Sequence, residues 1–269
     1  MWYNRLVILS LSVIFFALGL IIGSFLNVVI YRYNTNTSLG GRSACMSCQK
    51  KLCWYELIPL ISFLTLRGRC HSCKSKIDIQ YPIVEFLSGL VFMFIFLKFQ
   101  YLFFIAPYIF FITFTYYALA FSILLVIAVY DFKHKIIPDM LVFIFGALAF
   151  FGMFFFSSSD FYFHTPTLLE FLAGPIAAFP FLLIWWLSKG VAMGLGDAKL
   201  VLGLGWLLGL TRVASGLTLA FWLGAIIGII LLIFSKKYGI KSEIPFAPFL
   251  ILGTLVAFML NLELLIIFN

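Results

Sequence analysis

Long runs of apolar residues dominate this chain and restrict it to folds that a lipid bilayer can accept. A helix crosses the bilayer core with about 20 consecutive apolar residues. The sequence contains about eight runs of this kind. Only 10% of its residues are charged, whereas soluble domains carry about 25%. We therefore predict an all-α polytopic membrane protein with about eight transmembrane helices.

The limits of the apolar runs set the predicted spans. They cover residues 6–30, 82–98, 102–130, 139–157, 168–188, 198–211, 214–234 and 246–268. The first run begins almost at residue 1 and lacks a small-residue cleavage site, so we interpret it as a retained helix. The sequence SSSD at 157–160 is expected to form an external turn.

The distribution of basic residues predicts how these helices are oriented. Residues 31–81 form the longest polar segment and carry eight basic and two acidic side chains. Because basic residues collect in cytoplasmic loops, this segment should face the cytoplasm and both termini the opposite side. Alternation then places 15 of the 18 lysines and arginines inside, including Lys236, Lys237 and Lys241. The net charge of +8 thus reflects membrane orientation, and we predict no nucleic-acid partner.

The polar segment contains two C-x2-C pairs, Cys45 with Cys48 and Cys70 with Cys73. Four thiolates at this spacing suit one tetrahedral Zn²⁺, because each pair bends its backbone into a knuckle around the ion. A segment of about 50 residues with little aliphatic core also needs stabilisation of the kind that a bound metal ion provides. We predict a small cytoplasmic zinc-ribbon-like domain, in which the zinc is structural.

This prediction divides the chain into a first transmembrane helix at 1–30, the zinc domain at 31–81 and a membrane domain at 82–269. Within the zinc domain, Cys53 is a spare thiol, and His71 is a less favoured alternative ligand. The stretch ELIPLISFL at 56–64 is apolar but too short to cross the bilayer. It should pack either on the membrane surface or inside the cytoplasmic domain.

Two aspartates are predicted to lie at the same membrane face. Asp131 ends the third predicted span and Asp197 precedes the sixth, both on the cytoplasmic side. Two carboxyl groups within about 3–5 Å do not easily both ionise, so one keeps a proton while the other is charged. Such a pair can hydrolyse a peptide, since the charged acid takes a proton from water and the protonated acid polarises the scissile carbonyl.

Other residues near these aspartates have competing interpretations. Gly194 and Gly196 are expected to allow unusual backbone angles and the close approach of another chain. A helix cap is the alternative role for a single aspartate at a helix start. Asp139 competes with Asp131, but it follows Pro138 and opens the fourth span, which favours capping.

Two residues of the N-terminal part are candidates for binding substrate or cofactor. Glu85 lies on the cytoplasmic side and is acidic, so it can approach the aspartate site. Asn27 follows Gly23 by one helical turn in the first span. A small residue and an amide on one stripe suit tight helix packing as well as ligand binding.

Taken together, these motifs resemble those of the bacterial type IV prepilin peptidases, which are membrane aspartic proteases of the Gly-x-Gly-Asp type. The resemblance covers nearly the whole chain. It rests on GSFLNVVIYR, the two cysteine pairs, ELIPLISFLTLRGRC, YPIVE, DFKHKIIPD and GLGDAKL, in the family's order. One departure is Met46, where the family commonly has proline after the first cysteine.

The resemblance implies an enzyme of the bacterial inner membrane that cuts the basic leader from type IV prepilins or pseudopilins at the cytoplasmic face. It assigns Asp131 and Asp197 as the catalytic pair of an aspartic peptidase domain over 82–269, and the four paired cysteines as the family's cysteines. It also implies, as in many members, N-methylation of the newly exposed residue with S-adenosylmethionine as methyl donor.

Two hypotheses from other classes compete with the peptidase. An ion or solute transporter would use Asp131 and Asp197 as a cation or proton relay, but the sequence has no inverted repeat of the transporter type. A non-catalytic scaffold would use the zinc domain for docking, and substitution of either aspartate would then be silent.

Overall fold

α-Helices form most of the described residues in a computed structural model, which confirms the predicted all-α fold class. The structure describes residues 2–35, 40–41, 43–157, 160–161, 163–191, 193–234, 239 and 244–263. The chain divides into two units, Met1–Val126 and Ile127–Asn269. The predicted boundaries at residues 30 and 81 stay predictions.

The first unit is built on two long helices that pack tightly against each other. Its elements are α1 (Trp2–Arg32), a 3-10 helix (Trp54–Leu57), α2 (Ile61–Thr65), α3 (Gln80–Ile105) and the first part of α4 (Pro107–His134). A Cβ added at Gly19 would lie 2.6 Å from the Ser88 carbonyl oxygen, and one at Gly23 would lie 2.7 Å from Glu85 Cα. Small residues thus let the backbones of α1 and α3 approach closely.

Aromatic rings fill the apolar core beside this seam. Phe15 of α1 stacks on Phe96 of α3 with ring centroids 4.6 Å apart, and Phe110 of α4 meets Phe15 edge to face. Helix α3 ends before Pro107, because a proline disfavours helical geometry in the residue that precedes it and cannot continue the hydrogen-bond ladder. The same proline starts α4, since the first position of a helix needs no N–H.

In the second unit, one short helix packs between two neighbouring helices. Its elements are the end of α4, α5 (Asp139–Gly152), α6 (Leu168–Ser188), α7 (Leu195–Leu208), α8 (Leu210–Phe234) and α9 (Ala247–Leu260). A Cβ added at Gly205 of α7 would lie 2.6 Å from the Ala173 carbonyl oxygen of α6. One added at Gly203 would lie 2.7 Å from the Phe145 ring of α5. The glycines of α7 therefore let α5 and α6 hold it on two sides.

Each predicted span corresponds mainly to one helix, and the helices fall into two length classes. Five are long and apolar enough to cross a membrane: α1 from Arg5, α3, α4, α6 and α8. Helices α5, α7 and α9 have 14 residues each, or about 21 Å of helix against a hydrocarbon core of about 30 Å. Of the helices at the eight predicted spans, five are thus long enough to cross a bilayer and three are short, within the described residues.

The limits of several predicted spans also change. Helix α3 continues to Ile105 rather than 98, and α5 ends at Gly152 rather than 157. At the predicted external turn, β1 (Phe156–Ser157) pairs antiparallel with β2 (Asp160–Phe161). Residues 158–159, Lys236, Lys237, Lys241 and the last part of the final predicted span lie outside the described residues.

Candidate active site and metal centre

Asp131 lies in the last turn of α4, with its side chain buried at 4% exposure. Its Oδ2 atom accepts a hydrogen bond of 3.2 Å from the N–H of Ala247, the first residue of α9. The first N–H groups of a helix have no partner within the helix and carry its positive dipole end. The start of α9 therefore fixes one oxygen of the Asp131 carboxyl group.

Asp197 is held in a similar way by the start of its own helix. Gly194 is the N-cap of α7, so Asp197 occupies the third helical position. Its buried side chain accepts a hydrogen bond from the backbone N–H of Gly194. This contact is the reciprocal half of a capping box. The alternative of Asp197 as the N-cap is therefore wrong, because Gly194 holds that position, and the contact with Gly194 orients the carboxyl group instead.

The fold brings the two aspartates into interaction although they are 66 residues apart in sequence. Both side chains are buried in the second unit, and their carboxyl groups interact electrostatically with each other. Each accepts a backbone N–H from the N-terminus of a different helix. Two buried acids that interact do not easily both ionise, so one can keep its proton, which suits acid–base chemistry on water and a carbonyl.

Neither glycine before Asp197 has an unusual conformation, and only Gly196 is closely packed. Gly194 has φ −75° and ψ 150°, and Gly196 lies inside α7, so the expectation of unusual backbone angles is wrong at both positions. The expected close approach of another chain stays a prediction, but within this chain a Cβ added at Gly196 would lie 2.9 Å from the Cβ of Ile137. A Cβ at Gly194 would lie 3.7 Å from Asp197 Oδ2, which is ordinary contact.

Asp139 does not join the buried pair. Its side chain is 73% exposed and forms an ion pair of 2.8 Å with Lys199 of α7. The N-cap of α5 is Pro138, and no side-chain capping hydrogen bond is present there. The predicted capping role is therefore corrected to an exposed ion pair, while the choice of Asp131 over Asp139 agrees with the burial of the two residues.

Sequence reasoning missed the contribution of Ala247. Its N–H group contacts Asp131 because α9 begins here, between Pro245 and Pro248. Proline is favoured in the first turn of a helix and marks a helix start. The stretch PFAP could therefore have indicated free N–H groups at this position, but not that they would reach Asp131.

The four paired cysteines come together in the first unit and could hold a metal ion. Their Sγ atoms all lie within 4.8 Å of one another, and those of Cys45 and Cys73 are 3.8 Å apart. Tetrahedral Zn²⁺ with Zn–S distances of about 2.3 Å places its sulfur ligands roughly 3.8 Å apart. The spacing of the thiols thus fits such an ion, and the cluster includes neither Cys53 nor His71.

Both cysteine pairs are held by the same backbone turn. The Gln49 N–H donates to the Cys45 carbonyl at 2.9 Å, and the Lys74 N–H donates to the Cys70 carbonyl at 3.0 Å. The residues at these matching positions have φ values of 57° and 59°. The first knuckle therefore forms like the second, although Met46 replaces the family's usual proline.

Hydrogen bonds to sulfur favour the thiolate form at Cys45 and Cys73. At Cys48 the Lys50 N–H also lowers the pKa, but burial and the neighbouring thiols raise it to about 11. The backbone N–H groups of Cys48 and, next in effect, Ser47 lower the pKa of Cys45 to about 6. The hydroxyl and the backbone N–H of Ser75 lower the pKa of Cys73. Thiolates stabilised by nearby N–H and O–H donors are typical of metal-binding cysteines.

Asn27 and Glu85 both lie at the seam between α1 and α3. Asn27 is fully buried, and its Nδ2 donates to the Tyr81 carbonyl at 3.1 Å. Glu85 accepts the N–H of Leu60 at 2.8 Å, in a turn where Leu60 has φ 57°. Positive φ is strained for leucine, so Glu85 helps to hold this turn. Ligand binding by Asn27 and Glu85 stays a prediction.

Comparison with known proteins agrees with these two sites. Residues 17–99, which include the cysteines, match the family described as Bacterial Peptidase A24 N-terminal domain. Residues 118–233, which include both aspartates, match the Type IV leader peptidase family. No solved structure matches the chain.

Individual relatives match most of the chain. A prepilin leader peptidase/N-methyltransferase of Myxococcus xanthus is 33% identical over 86% of this chain and 66% of its own length. Proteins of the same name from Pseudomonas aeruginosa and Vibrio cholerae are 31% and 30% identical. They match 89% and 91% of this chain and 87% and 95% of their own lengths. The chain therefore belongs to the type IV leader peptidase family.

Proposed function

We propose that this chain is a membrane aspartic endopeptidase that removes the leader from type IV prepilins or pseudopilins, with Asp131 and Asp197 as its catalytic pair. The observation that carries the proposal is the burial and mutual interaction of these two acids. The names of the matching relatives support the substrate class.

In this reaction the two carboxyl groups have complementary roles. The ionised acid accepts a proton from the attacking water, and the protonated acid donates a hydrogen bond to the scissile carbonyl. The N–H groups of Ala247 and Gly194 orient the carboxyl groups, so that each keeps an oxygen for the water or the substrate. No covalent intermediate forms on the chain.

The position of the aspartates along the helices suits the shape of a prepilin. That substrate joins a basic leader to an apolar helix, so its junction lies where the bilayer meets the cytoplasm. Asp131 ends a long apolar helix and Asp197 begins a short one. We propose that both lie at the cytoplasmic face of the inner membrane, as the distribution of basic residues also predicts.

We also propose that the four-cysteine cluster holds a structural Zn²⁺. The ion would join the two knuckles through Cys45, Cys48, Cys70 and Cys73 and so stabilise a segment with little apolar core. A complete set of four thiolates leaves no open position, which is typical of structural zinc sites.

N-methylation of the new N-terminus is the second proposed activity. The matching relatives are named N-methyltransferases as well as peptidases, and the methyl donor proposed from this name is S-adenosylmethionine. Glu85 and Asn27 are candidate positioning residues for this reaction. The transporter hypothesis receives no support from the relatives or from the described residues.

A cleavage assay in membranes tests the peptidase proposal. Full-length protein is mixed with a matched prepilin, and the shortened product is followed by mass spectrometry. We expect a single cut between the basic leader and the apolar helix. A wild-type protein that binds metal and folds, but leaves several prepilins uncut, would contradict the proposed activity.

A further inference from the structure

Part of the first unit presents large apolar side chains that no described residue covers. Trp54 is 77% exposed and Leu64 is 72% exposed, on the 3-10 helix and α2 respectively. We call the exposed set on these two elements the apolar edge; it consists of Trp54, Tyr55, Leu57, Ile61 and Leu64. Within it, residues three apart project on one side of their helix, as Trp54 and Leu57 do, and likewise Ile61 and Leu64.

The cysteine-containing segment that includes the apolar edge carries a surplus of positive charge without ion pairs to described residues. Six basic side chains are exposed, and none forms an ion pair with a described residue: Lys50, Lys51, Arg67, Arg69, Lys74 and Lys76. The two acids of the segment are engaged elsewhere. Glu56 accepts the Cys53 N–H, and Asp78 accepts the Tyr31 hydroxyl.

The segment is also attached to the membrane at both of its ends. It follows α1, which ends at Arg32, and precedes α3, which begins at Gln80; both helices are long and apolar enough to cross a bilayer. A tether at each end keeps the effective concentration of the lipid surface high. Tryptophan and tyrosine favour the interfacial layer of a bilayer, and exposed lysines and arginines bind anionic headgroups.

We propose that the apolar edge and the exposed basic residues of the same segment form a docking surface for an anionic lipid bilayer. The rings of Trp54 and Tyr55 and the aliphatic side chains enter the interfacial layer, while the lysines and arginines contact lipid phosphates. Because a prepilin leader is basic, the same charge surplus disfavours that peptide as the occupant. Docking would fix the height of the metal centre above the bilayer.

Tryptophan quenching in nanodiscs tests this surface on the full-length protein. The contribution of Trp54 is the difference in fluorescence between wild type and Trp54→Phe. In discs that contain phosphatidylglycerol, we expect lipids brominated near the headgroup to quench Trp54, and acrylamide to reach it poorly. The quenching also gives the ratio of protein with a docked Trp54 to protein with an undocked Trp54. Replacing Lys50 and Lys51 by glutamine should lower this ratio about fivefold for each lysine.

Two control variants separate docking from general membrane contact. Arg5→Gln removes one charge from the far end of α1 and should leave Trp54 docked. Trp222→Phe removes an exposed ring of α8 and should change quenching equally with and without anionic lipid. Asp131→Asn should abolish cleavage and leave docking unchanged, so the two proposals fail separately.

Two results would overturn the docking surface. One is equal access of acrylamide to Trp54 in detergent, in neutral discs and in anionic discs. The other is protection of Trp54 that begins only when a prepilin is added, which would assign the apolar edge to a protein partner. Metal content equal to that of the wild type confirms that each variant retains its fold.

Discussion

The cysteine cluster is built from residues close together in sequence, whereas the aspartate pair is built from residues far apart in sequence. In the cluster, each pair of ligands is three residues apart, and one backbone turn orients both of its thiols. The aspartates are 66 residues apart, and each is oriented by the N-terminus of a separate helix. A local site can thus form from its own turns, whereas the distant pair depends on how helices pack.

The two sites also differ in what surrounds them. Three of the four clustered cysteines are partly or fully exposed, in a segment with few buried residues. Asp131 and Asp197 are buried, and glycines of α7 allow the close packing that places them. We therefore expect the cluster to depend on its metal and the aspartate pair to depend on small residues in its helices.

The largest effect is expected from removing either carboxyl group of the pair. Asp131→Asn and Asp197→Asn should each lower the rate of prepilin cleavage by at least about 10³-fold, because each removes an acid or base that the other cannot replace. Product formation in membranes measures this loss. Asp139→Asn is the matched control, and since it changes only an exposed ion pair it should retain most activity. Equal loss in the control would mean that Asp139 belongs to the site.

The cysteine cluster should respond to loss of one ligand but not to loss of the spare thiol. Cys45→Ser should weaken zinc affinity about 100-fold or more, because one of four ligands to a folding metal is lost. Elemental analysis and chelator competition on the full-length protein measure the effect. Cys53→Ser should keep one equivalent of zinc; less than half an equivalent in wild type would contradict the metal site.

A methyl group added at Gly196 should lower the activity of the aspartate pair, although neither aspartate is changed. Gly196→Ala would push Ile137, whose Cβ lies 2.9 Å from the new carbon, and so displace the start of α7. Small displacements of catalytic groups cost about 10–100-fold in rate, so we expect a loss of that size in the cleavage assay. Gly146→Ala is the control, because no atom lies within 4 Å of its added carbon. Equal rates for the two variants would argue against packing at Gly196 as a determinant of the site.

A smaller effect is expected at the turn beside the cysteine segment. Glu85→Ala leaves the half-buried N–H of Leu60 without its acceptor, at a cost of about 1 kcal/mol, since a fully buried donor would lose about 1–3 kcal/mol. Thermal unfolding in detergent should show the loss. Glu85→Gln keeps an acceptor oxygen and should recover part of the stability. If both variants lose methylation while stability stays unchanged, Glu85 contacts substrate or cofactor directly.

The sequence was sufficient for the features that depend on local patterns. The five long helices follow from apolar runs, and the cysteine cluster follows from the spacing of its ligands. The choice of Asp131 and Asp197, which stays a prediction, came from the charge asymmetry that places two rare acids on one predicted face. In each case the relevant information lies within a few residues or in a simple count.

Features that depend on packing could not be predicted in the same way. The contact from Ala247 to Asp131 joins residues 116 positions apart, and no local pattern indicates it. Gly196 was predicted to matter for backbone freedom, but its neighbour Ile137 is what requires a glycine. The ion pair of Asp139 with Lys199 replaced an expected cap for the same reason, since it joins two helices.

The most direct test of the account is whether Asp131 and Asp197 act as one unit. Cleavage is measured in single turnovers at high enzyme concentration for both single variants and for Asp131→Asn combined with Asp197→Asn. Residues that act together show strongly non-additive losses. The cleavage rate of the double variant should therefore be within about threefold of the rate of the less active single variant. Losses that multiply, or a single variant that retains a tenth of the wild-type rate, would contradict a shared aspartate site.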